Sequence, residues 1–499
     1  LKKYNKPVAG SAGGTDSAAA LIKPTGFREY DARWLFEEEI NLAGIEALGR
    51  GLGTYLRRLN VAPDIVTGHD YRAYSPTIKQ ALAAGLIAAG ATVHDIGLAL
   101  SPTAYFAQFA LDVLAVAMVT ASHNENGWTG VKMGCDRPLT FGPDEMTALK
   151  EIVLNGDFEE HPGGRLIEVA DFARRYKADL TDRAPFARKL KVLVACGNGT
   201  AGAFAPDVLA TLGCEVVPLH CELDHSFPHY NPNPEDMEML HDMRDHVLET
   251  GADIALGFDG DGDRCGVIDN EGEEIFADKV GVMLARDISA LHPGCQFVAD
   301  VKSTALFATD PVLRANRATT DYWKTGHSYI KRRSHELGAI VGFEKSGHFF
   351  FNQPIGRGYD DGLVSAIAIC DMLARNPDKS MADLRRALPA TWGSPTMSPY
   401  CPDEKKYAVV EKVLRHYQKL AARGEMVAGQ TIRELVTVNG VRVVLKDGTW
   451  GLVRASSNKP ELVVVVESPV SEEAMKSMFK NIDMHLEDYP EVGEYNQKI

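Results

Sequence analysis

Asp253-Ile254-Ala255-Leu256-Gly257-Phe258 runs straight into Asp259-Gly260-Asp261-Gly262-Asp263-Arg264. The first six residues read as a buried strand and the next six as the loop that ends it. The same arrangement occurs on either side. Upstream, the strand near Leu114–Thr120 leads into Ala121-Ser122-His123-Asn124. Downstream, the strand near Ala339–Phe343 leads into Glu344-Lys345-Ser346-Gly347-His348. Short β-rich runs alternate with longer helical patterns throughout this region. They fall near Asp64–Gly68, Thr92–Ile96, Lys191–Ala195, Glu215–Pro218, Gln296–Val301 and Thr319–Trp323, with helices between them. That alternation marks βαβ units and largely parallel sheets. Ligands in such sheets bind beyond the carboxyl ends of the strands, where the chemically loaded loops fall.

The fold class expected is α/β, with three related α/β domains of mixed, largely parallel sheets and a smaller C-terminal α+β domain, around a central cleft. At 499 residues the chain exceeds what one hydrophobic core supports. The expected segments are a mobile arm over 1–25 and α/β domains over 26–168, 169–275 and 276–392. A C-terminal α+β domain over 400–499 follows a Pro-containing linker near Ser394–Pro402.

Composition narrows the function classes. A formal net charge of -15 repels nucleic-acid phosphates, and no run of Lys and Arg counters it. No stretch reaches the roughly 20 apolar residues of a membrane helix. The eight cysteines show no metal-binding spacing and read as reduced thiols of a cytoplasmic protein.

Three carboxylates at alternate positions, Asp259, Asp261 and Asp263, can converge on one point because the intervening glycines let the backbone bend. An all-oxygen donor set suits Mg²⁺ or Ca²⁺. An EF-hand would need Gly and Glu where Arg264 and Asn270 stand. A solvated acidic turn is the plain alternative. Ser122 taken alone reads as a turn or helix-cap residue; Lys132 and the aspartate loop strengthen a chemical role. Gly197-Asn198-Gly199-Thr200-Ala201-Gly202, with Glu222 about twenty residues on, fits the dinucleotide fingerprint, but reads first as a Gly-rich βα turn that binds nothing. Arg454-Ala455-Ser456-Ser457-Asn458 offers donors suited to phosphate. Lys302, Lys324 and His327 follow expected strands and add positive charge.

In this order the motifs resemble the α-D-phosphohexomutase family, from Phe27 to about Val466. They are Phe27-Arg28-Glu29-Tyr30-Asp31-Ala32-Arg33, Thr120–Asn124, Asp259–Arg264, Trp323-Lys324-Thr325-Gly326-His327, Glu344–His348 and Arg454–Asn458. The resemblance implies reversible phosphoryl transfer between the 1- and 6-positions of glucose and mannose phosphates, through phosphorylated Ser122 and a hexose 1,6-bisphosphate. It implies Mg²⁺ on Asp259, Asp261, Asp263 and the phosphoserine, and glucose 1,6-bisphosphate as activator. Arg33, Lys132 and His348 take catalytic roles. Tyr30, Arg264, Lys302, Lys324, His327, Glu344 and Ser346 line the sugar site. Arg454, Ser456, Ser457 and Asn458 hold the distal phosphate. Small-molecule sugar phosphates are the expected partners, without nucleic acid or membrane, for a monomer or homodimer. The chain departs from the family in Glu125-Asn126, where a proline is frequent, in Phe343, where a glycine is frequent, and in Lys345. The alternatives are phosphoglucosamine mutase, a metal-dependent phosphomonoester hydrolase and a non-catalytic sugar-phosphate-binding protein.

Overall fold

The computed structural model describes residues 19–457 and 459–499. The expected arm therefore lies outside the described residues up to 18, as does Asn458. From Ala19 onward the chain is tied down. Asn41 donates to the Ala19 carbonyl, Ile22 bridges to Ile40, and Trp34 Nε1 donates to the Lys23 carbonyl at 2.8 Å.

The chain forms two compact units. One runs through Ala277 and takes up Ser346–Ala382; the other comprises Asp278–Lys345 and Asp383–Ile499. The first unit holds two sheets. The six-stranded sheet has the spatial order Ala32–Leu35, Trp128–Gly134, Ala115–Val119, Asp64–His69, Thr92–Leu98, Arg165–Glu168. Its last four strands are parallel, and Trp128–Gly134 runs antiparallel to both its neighbours. That return strand, read from the sequence only as a segment containing Lys132, places Lys132 opposite Met118. Ala115–Val119 is buried at every position, as expected of a strand covered on both faces. The helices Leu42–Arg58 and Pro143–Asn155 cover one side through Leu48, Leu52, Met146 and Leu149.

The second sheet has the order Glu274–Ile275, Cys265–Asp269, Ile254–Phe258, Lys191–Ala195, Glu215–Leu219. Ile254–Phe258 is parallel to Lys191–Ala195 and antiparallel to Cys265–Asp269, so the aspartate loop is the turn of a β-hairpin. The Gly197–Gly202 turn is filled by its own chain. A Cβ at Gly202 would lie 2.0 Å from the Cys221 carbonyl oxygen, and one at Gly199 would meet Pro232 at 3.3 Å. Its glycines serve close backbone packing, which answers the dinucleotide alternative.

In the other unit, Thr319–Trp323, Gln296–Asp300 and Val341–Phe343 form parallel pairs with Gln296–Asp300 at the centre. The C-terminal sheet is antiparallel: Trp392–Gly393, Leu462–Ser468, Trp450–Ala455, Val441–Leu445, Gln430–Val436, Met426–Val427. Helices Asp403–Arg423 and Glu472–Leu486 pack on it through Val409, Val413, Met478 and Ile482. The Pro-containing linker is held along this sheet: Ser394 N–H donates to the Val466 carbonyl at 2.9 Å and Met397 bridges to Val464. Among the described residues, no helix is long and apolar enough to cross a membrane.

Candidate active site

Ser122 lies just past the end of strand Ala115–Val119, with φ of 51°. A non-glycine residue in the left-handed region is uncommon and persists where its surroundings hold it. Those surroundings are specific. Ser122 N–H donates to Thr120 Oγ1 at 2.8 Å, and Thr120 Oγ1 donates to Asp70 Oδ2 at 2.8 Å. Asp70 also accepts from Ser75 Oγ at 2.6 Å and from the Ala121 N–H at 3.2 Å. Arg72, paired with Asp70 and fully buried, donates to the carbonyls of Ser122 at 2.9 Å and Asn124 at 2.7 Å. Asp70 and Arg72 thus form the cradle of the serine loop. Neither carries a local motif; their only signal in the sequence is position, directly beyond strand Asp64–His69, where functional loops gather.

The loop brings Ser122 to the aspartate hairpin. Ser122 Oγ donates to Asp259 Oδ2 at 3.0 Å and lies 3.2 Å from His123 Nδ1. A Cβ at Gly260 would stand 2.5 Å from the Ser122 carbonyl oxygen, so only glycine permits this approach. Lys132, projecting from the return strand, bridges Asp261 Oδ2 at 2.7 Å and Asp263. Ser101, also unread from sequence, donates to Asp261 Oδ2 at 2.6 Å. Arg33 donates to the Ala121 carbonyl at 2.6 Å and pairs with Asp31. Tyr30 is buried in the turn that enters the strand of Arg33.

The three aspartates are completely buried and their carboxylate oxygens lie within 4.8 Å of one another. Burial, followed by the charges of Asp261 and Asp263, pushes the Asp259 carboxyl up to about 8. Burial and the Asp261 charge raise Asp263 as well. Burial acts in the same direction on Asp261, but the Lys132 ammonium and hydrogen bonds from Lys132 and Ser101 override it and hold that carboxyl well below the usual range. Asp261 Oδ1 and Asp263 Oδ1 are buried with no hydrogen-bond partner among the described residues. Crowded, buried carboxylates with orphaned oxygens fit a hard divalent cation, which would satisfy both the charge and the lone pairs.

His348 stands on the far side of the hairpin. Its Nε2 accepts from Arg264 Nε at 3.0 Å, and its Nδ1 is 3.0 Å from Asp360 Oδ2 and 3.6 Å from Asp263 Oδ1. Burial lowers the pKa of this ring, but the Asp263 and Asp360 carboxylates outweigh it and leave the value raised. Asp360 carries no motif of its own in the sequence. Its neighbour Asp361 caps the helix Gly362–Ala374, whose first N–H donates to the Gly262 carbonyl at 3.1 Å.

In the other unit, the loops that carry Lys302, Lys324, His327 and Glu344 gather at the end of strand Gln296–Asp300. Asp300 is completely buried and accepts from Thr325 Oγ1 at 3.0 Å and from the Lys345 N–H at 3.2 Å. It also accepts from Ser303 and lies 4.0 Å from Lys302 Nζ. One carboxylate thereby organises the loops of Lys302, of Lys324 and His327, and of Glu344. Glu344 accepts from the Gly326 N–H at 2.5 Å. Lys345 turns its ammonium to Asp278, 3.4 Å away. The Thr325 N–H also donates to Asn439 Oδ1 at 3.4 Å, and the turn at Gly440 packs against Arg454. Arg454 is buried, with Nε lacking a hydrogen-bond partner among the described residues. Ser456 and Ser457 follow it at the end of strand Trp450–Ala455.

The domain families described as phosphoglucomutase/phosphomannomutase alpha/beta/alpha domains I, II and III match residues 24–160, 171–272 and 276–392. The corresponding C-terminal domain family matches 401–484. A phosphomannomutase/phosphoglucomutase of Pseudomonas syringae is 35% identical over 457 residues, covering 92% of this chain and 94% of its own. A phosphoglucomutase of Neisseria gonorrhoeae is 31% identical, over 91% of this chain and 96% of its own. The crystal structure of a phosphoglucomutase/phosphomannomutase family protein from Burkholderia thailandensis superposes with a TM-score of 0.82. It has 29% identity and covers 94% of this chain and 98% of the other. The chain belongs to the α-D-phosphohexomutase family and is a hexose-phosphate mutase, an isomerase.

Proposed function

We propose that this mutase moves the phosphoryl group through Ser122, on both glucose and mannose phosphates. The observation that carries the proposal is Ser122 itself. It is a serine in a strained backbone conformation with Oγ 3.0 Å from a buried carboxylate triad, beside a fully buried lysine. Asp259, Asp261 and Asp263 would hold Mg²⁺ together with a phosphoserine oxygen; when bound, the ion neutralises charge on the phosphoryl group. Lys132 and Arg33 supply fixed positive charge to the moving group, and positioning accounts for most of the catalysis.

Phosphorylated Ser122 loses its phosphoryl group as the O–P bond breaks and the free sugar hydroxyl forms a new one. His348 accepts the hydroxyl proton, and the Ser122 oxygen is left as acceptor for the return transfer. The hexose 1,6-bisphosphate then gives its other phosphate back to the Ser122 oxygen: that sugar O–P bond breaks, and His348 returns the proton to the freed sugar oxygen. Glucose 1,6-bisphosphate, which phosphorylates Ser122 by this same step, serves as activator. Arg454, Ser456, Ser457 and Asn458 grip the phosphate that is not reacting. Tyr30, Arg264, Lys302, Lys324 and His327 are further substrate-binding residues, and Glu344 and Ser346 read the O3 and O4 edge. Glucose and mannose share that edge, and the two-sugar name of the Pseudomonas relative supports accepting both.

In this reading the domains are those expected over 26–168, 169–275, 276–392 and 400–499, in a monomer or homodimer of the cytoplasm. The test joins two measurements. Phosphopeptide mapping after incubation with glucose 1,6-bisphosphate should place phosphate on Ser122. The values of kcat/KM for glucose 1-phosphate and mannose 1-phosphate should lie within about a thousandfold, or about 4 kcal/mol. Phosphate found only elsewhere, or a wider gap between the sugars, overturns the proposal.

A further inference from the structure

We propose that Cys196 and Cys221 form a redox-active dithiol, closed to a disulfide by peroxides, and that closure lowers the activity of the enzyme. The two thiols leave adjacent parallel strands at their carboxyl ends, where Ala195 is paired with Leu219. The Cys196 N–H donates to the Leu219 carbonyl at 3.1 Å. Their sulfurs are 3.6 Å apart, against about 2.05 Å in a disulfide. The pair is asymmetric, as a sensor requires. Cys221 is partly exposed, whereas Cys196 is completely buried. Contact with the Cys196 thiol draws the Cys221 thiol below its ordinary pKa, and burial pushes Cys196 up. Cys221, the partly exposed member, is therefore the one that an oxidant reaches first, and Cys196 the thiol that resolves it.

The chemistry closes with hydrogen peroxide as the named oxidant. The Cys221 thiolate attacks one peroxide oxygen, the O–O bond breaks, and a sulfenic acid and one water result. Cys196 then attacks that sulfur and displaces a second water as the S–S bond forms. Two thiols lose two electrons and two protons, and the peroxide takes up both. All cysteines are free thiols, and transient, regulatory disulfides are the kind that occur in reducing compartments.

The segment that follows Cys221 touches the serine loop. Directly after Cys196, Asn198 Nδ2 donates to the Glu222 carbonyl at 2.8 Å and accepts at its own carbonyl from the Asp224 N–H at 3.2 Å. Directly after Cys221, the segment runs to the serine loop: Asn126 Nδ2 donates to the His225 carbonyl at 2.9 Å, and Asn231 Nδ2 donates to the His123 carbonyl. Closing the sulfurs from 3.6 Å toward bonding distance draws together the roots of both segments. A displacement of about 1 Å at a reacting group costs on the order of a hundredfold in rate, so partial transmission to Ser122 is enough to slow turnover.

The experiment exposes the full-length, Mg²⁺-loaded enzyme to hydrogen peroxide, then blocks free thiols and maps peptides without reduction. The expected result is a Cys196–Cys221 link, a loss of activity of at least about fivefold on the scale argued above, and recovery on adding dithiothreitol. Cys221→Ser should keep basal activity and lose the response. Cys196→Ala tests the resolving thiol, and its circular dichroism confirms folding; it should stall at a sulfenic acid on Cys221. Absence of the link overturns the proposal. So does a link that leaves activity unchanged, or a Cys221→Ser enzyme that peroxide still inactivates reversibly.

Discussion

Replacing Glu467 by Gln should uncouple the C-terminal sheet from the segment that carries Lys302. Glu467 is nearly buried in strand Leu462–Ser468. It accepts from Lys279 Nζ at 2.8 Å, Ala305 N–H at 2.9 Å, Thr304 Oγ1 at 3.0 Å and Trp450 Nε1 at 3.1 Å. Close by, Arg442 donates to the carbonyls of Val301 and Ser303 at 3.0 and 2.9 Å, with its guanidinium 3.7 Å from the Trp450 ring centre. Burial alone would raise the Glu467 pKa; the Lys279 ammonium and these hydrogen bonds bring it down to about 2, from an ordinary 4.5. At about 1.4 kcal/mol per pH unit, that difference stabilises the folded chain by about 3 kcal/mol at neutral pH.

A depressed carboxylate contributes fully above its unfolded pKa and progressively less as pH falls through the folded one. The contribution should therefore be whole above about pH 5.5, roughly halved at pH 3 and gone below pH 1. Glu467→Gln keeps the shape, removes the charge and leaves Lys279 without its counter-ion, an arrangement that costs about 3–5 kcal/mol when a buried pair is broken. Urea denaturation combined with amide exchange in strand Leu462–Ser468 should show a deficit of about 3 kcal/mol at pH 7 that shrinks toward pH 3. Lys279→Met should reproduce most of it, and the double variant should cost less than the sum. An equal deficit at pH 7 and pH 3, or one below about 1 kcal/mol at pH 7, would refute the reasoning.

Three further outcomes follow from the site and the C-terminal domain. Asp261→Asn should raise the Mg²⁺ concentration for half-maximal activity by at least about tenfold, and activity that survives exhaustive chelation would contradict the metal assignment. Asp70→Asn should lower kcat on the order of a hundredfold with KM little changed, because Asp70 holds Thr120 and Arg72 rather than substrate; steady-state kinetics with circular dichroism separates this from misfolding. His416 and His485 stack at 3.7 Å, and burial, aided in His485 by the charge of His416, lowers both pKa values. Groups that resist protonation when folded destabilise the fold as pH drops below the ordinary histidine value of about 6.5. Thermal unfolding should accordingly be easier at pH 5 than at pH 7, and His485→Gln should flatten that dependence.

The sequence by itself determined the chemistry-bearing loops. Asp259, Asp261 and Asp263 are legible because alternate carboxylates separated by glycines make a local pattern, and Ser122 because an apolar strand ends directly before it. The strand–helix alternation likewise identified the α/β class, since side-chain periodicity is a property of neighbouring residues. Only the tertiary structure decided which partners those loops have. Asp70 reaches Thr120 across fifty residues, and Ser122 reaches Asp259 across 137. Asp300 gathers three loops, and Cys196 meets Cys221 because their strands happen to be adjacent in the sheet. No local pattern encodes such pairings. They depend on strand order and on the low-dielectric interior, where a buried charge must find its counterpart and the chain's path through space settles which one it meets.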